Sequence, residues 1–197
     1  MDLHIDDPQL PGSARREDSP ARARRRLPTR ETTPVNTEDE ARFLDETVAL
    51  AVANVHNDGG PFGALIVTSD GRSFAGVNRV TASNDPTAHA EVMAIRNACT
   101  ALETFELSGS TLYTSCEPCP LCVSAALWAR VESVVYAADR FDAEKAGFDD
   151  AVFYDYFNTP DEERSMPVRQ VAPLAEAELP ASAPFAAWRT LAARVDY

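Results

Sequence analysis

The chain has 197 residues, 45% of them hydrophobic and 25% charged, which suits one ordinary globular domain with room for an extension. Its formal net charge of −13 argues against a surface that grips a phosphate backbone, since such surfaces need clustered Lys and Arg, and favours a small neutral ligand. No run approaches the ~18 apolar residues of a membrane span. No apolar stretch follows the early arginines as a secretory leader would require, so the expected setting is the cytoplasm without membrane attachment.

Residues 1–36 carry Pro8, Pro11, Pro20, Pro28 and Pro34 among charges and few large apolar groups. They cannot bury enough surface to offset ordering entropy, and are expected to be a disordered tail before a domain spanning 37–197. Seven of the 18 basic residues lie between Arg15 and Arg30, which leaves the remainder more acidic still. That cluster reads as a solvated tail, with a nucleic-acid or regulatory arm as the alternative.

Thr37 followed by Glu40 has the form of a capping box. A helix is expected from there to about Asn57, with Phe43, Val48, Val52 and Val55 among its apolar positions. Asn57-Asp58-Gly59-Gly60-Pro61 ends it. Gly63–Thr68 reads as a strand, Ser69-Asp70-Gly71 as a hairpin turn, and Ser73–Val80 as the returning strand. Ser83-Asn84-Asp85-Pro86 is a loop and Ala88 to about Glu103 a helix. A third strand covers Ser110–Thr114. Pro118 opens a helix, where proline is well placed, running to about Arg130. Val131–Ala138 is a fourth strand. The order α-β-β-α-β-α-β predicts an α/β fold, a mixed sheet flanked by helices. Past Asp139 the pattern weakens: Phe141–Tyr156 is aromatic and acidic, and Phe185–Tyr197 forms a last amphipathic stretch.

Three of the four cysteines, Cys116, Cys119 and Cys122, fall within seven residues. In a reducing compartment that spacing favours a metal over disulfides. Two fragments then stand together: His89-Ala90-Glu91 and Pro118-Cys119-Pro120-Leu121-Cys122. A catalytic zinc takes three protein ligands and keeps one position open. His89, Cys119 and Cys122 meet that count, and two thiolates cancel the charge of the ion. Cys119 and Cys122 are three apart at a helix start, so both sulfurs face one way, and the helix terminus favours thiolate. Glu91, two residues past His89, is placed to move protons without being a ligand. A structural Cys₃His site that includes Cys116, without catalysis, is the rival arrangement. It has no use for Glu91, and Cys116 precedes the helix. The joined pattern H-x-E…P-C-x-x-C is that of zinc deaminases.

On these residues the chain resembles cytidine-deaminase-fold zinc deaminases and, within them, the bacterial guanine deaminases. The likeness runs from about Gly60 to Tyr197. It includes Gly60-Pro61-Phe62-Gly63-Ala64, the segment Thr81–Glu91, the segment Tyr113–Cys122, Ala146-Gly147-Phe148-Asp149-Asp150 and the terminal stretch Phe185–Tyr197. The resemblance implies a three-layer α/β/α sandwich with a five-stranded mixed sheet, one strand more than the pattern above contains. It implies Zn²⁺ and a purine base as substrate. It gives Asp150 the role of a second proton carrier or recognition group, and Asn78, Phe62, Ala90, Trp128 and Tyr197 the role of substrate contacts. It also implies a homodimer whose C-terminal segments are exchanged, with Asp150 and Tyr197 serving either their own site or the partner's. Guanine is the expected substrate. Guanosine, ammeline, cytosine and a tRNA adenosine are the rivals, the last disfavoured by the acidity of the chain.

Overall fold

The computed structural model describes residues 37–171 and 178–196. Strand β1 (Gly63–Val67) pairs antiparallel with β2 (Ser73–Val77) and, on its other side, antiparallel with β3 (Thr111–Cys116). Strand β4 (Ser133–Ala138) runs parallel to β3, and the sheet order is β2-β1-β3-β4. Helix α1 (Thr37–Val55) covers one face. Helices α3 (Ala90–Leu102) and α4 (Pro120–Trp128) share the other. The α/β sandwich is as expected. The fifth strand is not found among the described residues: the sheet has four, and β4 ends it as an open edge.

The two faces follow strand alternation. Ala64, Ile66 and Leu112 point to the α3 side and join Ala90, Ala94, Ala98 and Ala126 in the main core. Tyr113 points the other way, with its ring 4.9 Å from that of Phe43 on α1. The small residues are a packing requirement. A Cβ on Gly76 would sit 2.2 Å from Ala94 N and 2.3 Å from Ala90 O, so β2 lies almost on the backbone of α3. Gly63 is just as tight against α1, where a Cβ would meet Thr47 O at 2.5 Å.

That closeness decides which face of α1 turns inward. Its buried residues are Thr47, Ala51 and Asn54, while Val48, Val52 and Val55 are largely exposed. The second strand is shorter than expected. Val77 ends it, Asn78 N donates to Phe62 O, and Val80–Ser83 forms one short helical turn, α2, closed by Asn84 in the left-handed region. Beyond β4 the chain forms α5 (Arg140–Lys145), α6 (Ala151–Asn158) and α7 (Ala183–Thr190). None of the described helices is long and apolar enough to cross a membrane.

Candidate metal and catalytic site

Two helix starts converge on one point. His89 occupies the N-cap position of α3 and Cys119 that of α4. Both have extended backbone and neither uses its side chain to cap its helix. Pro120 takes the first turn of α4, where a missing N–H costs nothing. Cys122 then lies one turn in and fully buried. Cys119 Sγ and Cys122 Sγ are 3.6 Å apart, and His89 Nδ1 lies 3.6 Å from the first and 3.4 Å from the second. Zinc bonds of ~2.3 Å to sulfur and ~2.0–2.1 Å to nitrogen, at tetrahedral angles, require edges of roughly 3.8 Å between sulfurs and roughly 3.6 Å between sulfur and nitrogen. The three donor atoms therefore fit a zinc ion. They form a metal-capable group among the described residues, and Cys116 is not part of it. The Cys116 thiol instead faces Asp139 O at 3.6 Å.

The electrostatics suit a thiolate site. Cys119 is held at about 4 by its hydrogen bond with Cys122 and by His89 beside it, against the cost of burial. Cys122 is pushed up by its hydrogen bond with Cys119 and by burial. The Cys119 hydrogen bond in turn raises His89. Burial pushes Cys116 up to about 11, which keeps it a neutral thiol.

Glu91 is buried at the same place. One carboxylate oxygen, Oε1, accepts the Thr114 hydroxyl at 2.9 Å. The other, Oε2, lies 3.3 Å from Cys122 Sγ. Burial raises its carboxyl above the ordinary range, and the Thr114 hydrogen bond works against that rise. Glu91 is thus a carboxyl held at the ligand cluster and outside the three-residue donor set.

The zinc-binding region of cytidine and deoxycytidylate deaminases matches residues 37–138. The chain belongs to this deaminase family. Guanine deaminase of Bacillus subtilis (strain 168) is 49% identical over 156 residues, which is 79% of this chain and 97% of that protein. The X-ray structure of guanine deaminase from Bacillus subtilis matches with a TM-score of 0.73 at 48% identity, covering 83% of this chain and 99% of the other. Guanine deaminase from Nitrosomonas europaea matches with a TM-score of 0.54 at 36% identity, covering 61% and 69%.

The other residues expected at the site lie in several places. Asn78 is buried at the end of β2. The next residue, Arg79, donates its N–H to Ala88 O at 2.9 Å, which ties Asn78 to the loop that carries His89. Phe62 accepts from Asn78 N at its carbonyl, and its ring meets Phe148 edge-on at 5.0 Å, just before Asp149 and Asp150. Asp149 Oδ1 accepts from Ala151 N at 2.9 Å, whereas the Asp150 side chain makes no cap bond although its residue is the N-cap of α6. Asp150 is raised by burial and then by the charge of Cys119, with Arg140 opposing.

Ala90 and Trp128 are also expected to touch the substrate. The Ala90 methyl is fully buried in the core, which leaves only its backbone to meet a base. Trp128 closes the far end of α4, about 12 Å along the axis from Pro120, and is 69% exposed. Tyr197 lies outside the described residues. Thr114 was not marked by the sequence pattern. A threonine amid an otherwise buried strand was the only available signal.

Proposed function

We propose that this chain is a zinc-dependent hydrolase that converts guanine and water to xanthine and ammonia. The observation that carries the reading is the His89–Cys119–Cys122 triad with Glu91 buried against it, in a chain 49% identical to a guanine deaminase over 97% of that protein. When bound, the zinc supplies the acidity that makes water a competent nucleophile at neutral pH.

The residues do the rest. Glu91 takes the proton of the water that attacks C2 and delivers it to ring N3. The proton of the new C2 hydroxyl then passes to the exocyclic nitrogen, the C2–N bond breaks, and ammonia leaves as the C2 carbonyl of xanthine forms. Thr114 holds Oε1 of Glu91 and so leaves Oε2 toward the reacting atoms. Asp150, free of any capping duty, is the second acid for the departing amine or for recognition of the base. Asn78 supplies a hydrogen-bonding edge and Phe62 a wall.

The site is completed by a second copy. Support comes from the open edge of β4 and from Leu127, Trp128 and Tyr136, all substantially exposed on α4 and β4. In this reading the C-terminal segment is exchanged between two subunits. It brings Tyr197 over the base, and Trp128 walls a slot that one chain alone does not complete. Residues 37–197 form the catalytic domain; the tail expected over 1–36 lies outside the described residues. Four unpaired cysteines favour a reducing, cytoplasmic setting.

The test is ammonia release by zinc-loaded protein offered guanine, guanosine, adenine, cytosine and ammeline in parallel. Release from guanine alone, with xanthine formed, supports the assignment. Turnover of another amine and not guanine overturns the substrate and retains the zinc chemistry.

A further inference from the structure

Helix α1 packs on the face of the sheet opposite α3 and α4, yet one of its side chains reaches the two chain segments that carry Phe62 and Asn78. Asn54 is 4% exposed. A primary amide has two N–H donors, and the amide nitrogen of Asn54 donates to two carbonyls on different chain segments. These are Gly60 O and Asn78 O, each at 2.8 Å. Phe62 N donates to the same Gly60 O at 2.8 Å, and Asn78 N donates to Phe62 O at 3.1 Å. The four residues therefore close a ring of hydrogen bonds: Asn54 to Gly60, Gly60 to Phe62, Phe62 to Asn78, and Asn78 back to Asn54.

The glycines beside the ring show how tightly it is built. A Cβ on Gly59 would lie 2.2 Å from the Asn54 amide nitrogen, and one on Gly60 would lie 2.8 Å from Asn78 Oδ1. The loop lies directly on both side-chain amides and leaves no room for a methyl. Asn78 Oδ1 also accepts from Val80 N at 3.2 Å, which fixes the direction of its side chain. The Asn54 backbone carbonyl accepts from Asn57 N and Gly59 N, so the residue that closes the helix also anchors the loop.

We infer that Asn54 is a positioning residue for substrate specificity: its buried amide fixes Phe62 and Asn78 relative to each other and so sets the width of the slot that receives the base. The inference rests on the proposed roles of Phe62 and Asn78. It adds a residue that touches neither metal nor substrate. Misplacing wall and recognition edge together weakens binding in the ground state and the transition state alike. The loss appears in KM more than in kcat.

The experiment compares Asn54→Ala with Thr47→Ala in the full-length, zinc-loaded enzyme. Thr47 is also a buried polar residue of α1, but its hydroxyl donates only to Leu44 O within the helix. We expect Asn54→Ala to raise KM for guanine at least tenfold, with kcat within threefold and one zinc retained per chain, while Thr47→Ala leaves KM unchanged. Amide exchange is read on the same proteins without substrate, and the Phe62 and Asn78 N–H groups should exchange at least tenfold faster in Asn54→Ala only. Should Asn54→Ala fail to fold, Asn54→Ser takes its place with the same expectations. Equal KM and equal exchange in the two variants overturn the inference. If the parent enzyme ignores guanine but the exchange difference is present, the ring stands and the substrate assignment fails.

Discussion

Thr114 on β3 donates its hydroxyl hydrogen to Glu91 on α3 at 2.9 Å, across the contact between sheet and helix. One carboxylate oxygen is thereby held and the other left toward the metal ligands. A hydrogen bond to a charged group contributes about 1.5–3 kcal/mol, or roughly 10–100-fold in rate if it is needed in the transition state. Thr114→Val should lower kcat by about that factor with zinc content intact. Glu91→Gln should cost about 10²–10⁴-fold and likewise retain zinc. Steady-state kinetics beside metal analysis separates the two effects, and full activity in Glu91→Gln removes Glu91 from proton transfer.

Metal content divides the cysteines. Cys119→Ala, Cys122→Ala and His89→Ala should each fall well below one zinc per chain, because three ligands leave none to spare. Cys116→Ala should retain the full equivalent, since its thiol faces the Asp139 carbonyl. Mass-spectrometric metal analysis of the purified variants decides it. Zinc loss in Cys116→Ala would return the structural four-ligand arrangement to favour.

Adjacent aspartates should behave oppositely. Asp149→Ala loses the acceptor for Ala151 N and should cost about 1 kcal/mol of stability with little change in activity. Asp150→Asn should leave the melting temperature nearly unchanged and lower kcat about 10²-fold. Thermal denaturation run beside kinetics distinguishes them. The reverse pattern would make Asp149 the functional acid.

Gly76→Ala tests the approach of sheet to helix. The added methyl has backbone atoms of α3 within 2.3 Å and no flexible side chain to displace. Overpacking of this kind costs about 1–3 kcal/mol or more. The urea midpoint should fall by the corresponding amount. An unchanged midpoint would mean that β2 and α3 yield easily.

Cys116 supplies a pH prediction. Burial raises its thiol to about 11, and the reactive form is the thiolate. The protonated form therefore dominates at neutral pH and gives way only as the pH nears 11. Alkylation of native protein at pH 8 should leave Cys116 almost unmodified, and its rate should climb toward pH 10–11 faster than that of a free thiol, whose titration is already complete. Peptide mapping by mass spectrometry after timed exposure measures this. Rapid labelling at pH 8 would mean that the thiol is neither buried nor raised.

Much of the site was legible because its chemistry is written in short, local spacings. His89 and Cys119 mark helix starts through the residues that follow them, and Cys122 follows from Cys119 by one helical turn. What could not be read was settled by packing between distant segments. The inward face of α1 buries Thr47, Ala51 and Asn54 rather than its valines, because Gly63 brings β1 against the helix backbone at Thr47 and Ala51. The strand expected to Val80 ends near Val77: Asn78 N–H still reaches Phe62 O in the β1–β2 register, but Arg79 N–H turns away to Ala88 O and the chain enters α2. The fifth strand came from resemblance alone. It has no counterpart among the described residues, whose sheet has four strands.

His89 and Cys119 are far apart in the chain and adjacent in space, so an ion held between them acts as a crosslink closing a loop of about 30 residues. By the loop-entropy relation used for disulfides, such a closure restricts the unfolded chain by about 3–4 kcal/mol. Unlike a disulfide it is reversible, set by the free concentration of the metal. The contact between α3 and α4 would then tighten or loosen with metal supply, while the α1 side of the sheet, which contributes no ligand, keeps its packing. Metal starvation would accordingly erode this protein from one face inward, as a local opening that precedes loss of the whole fold.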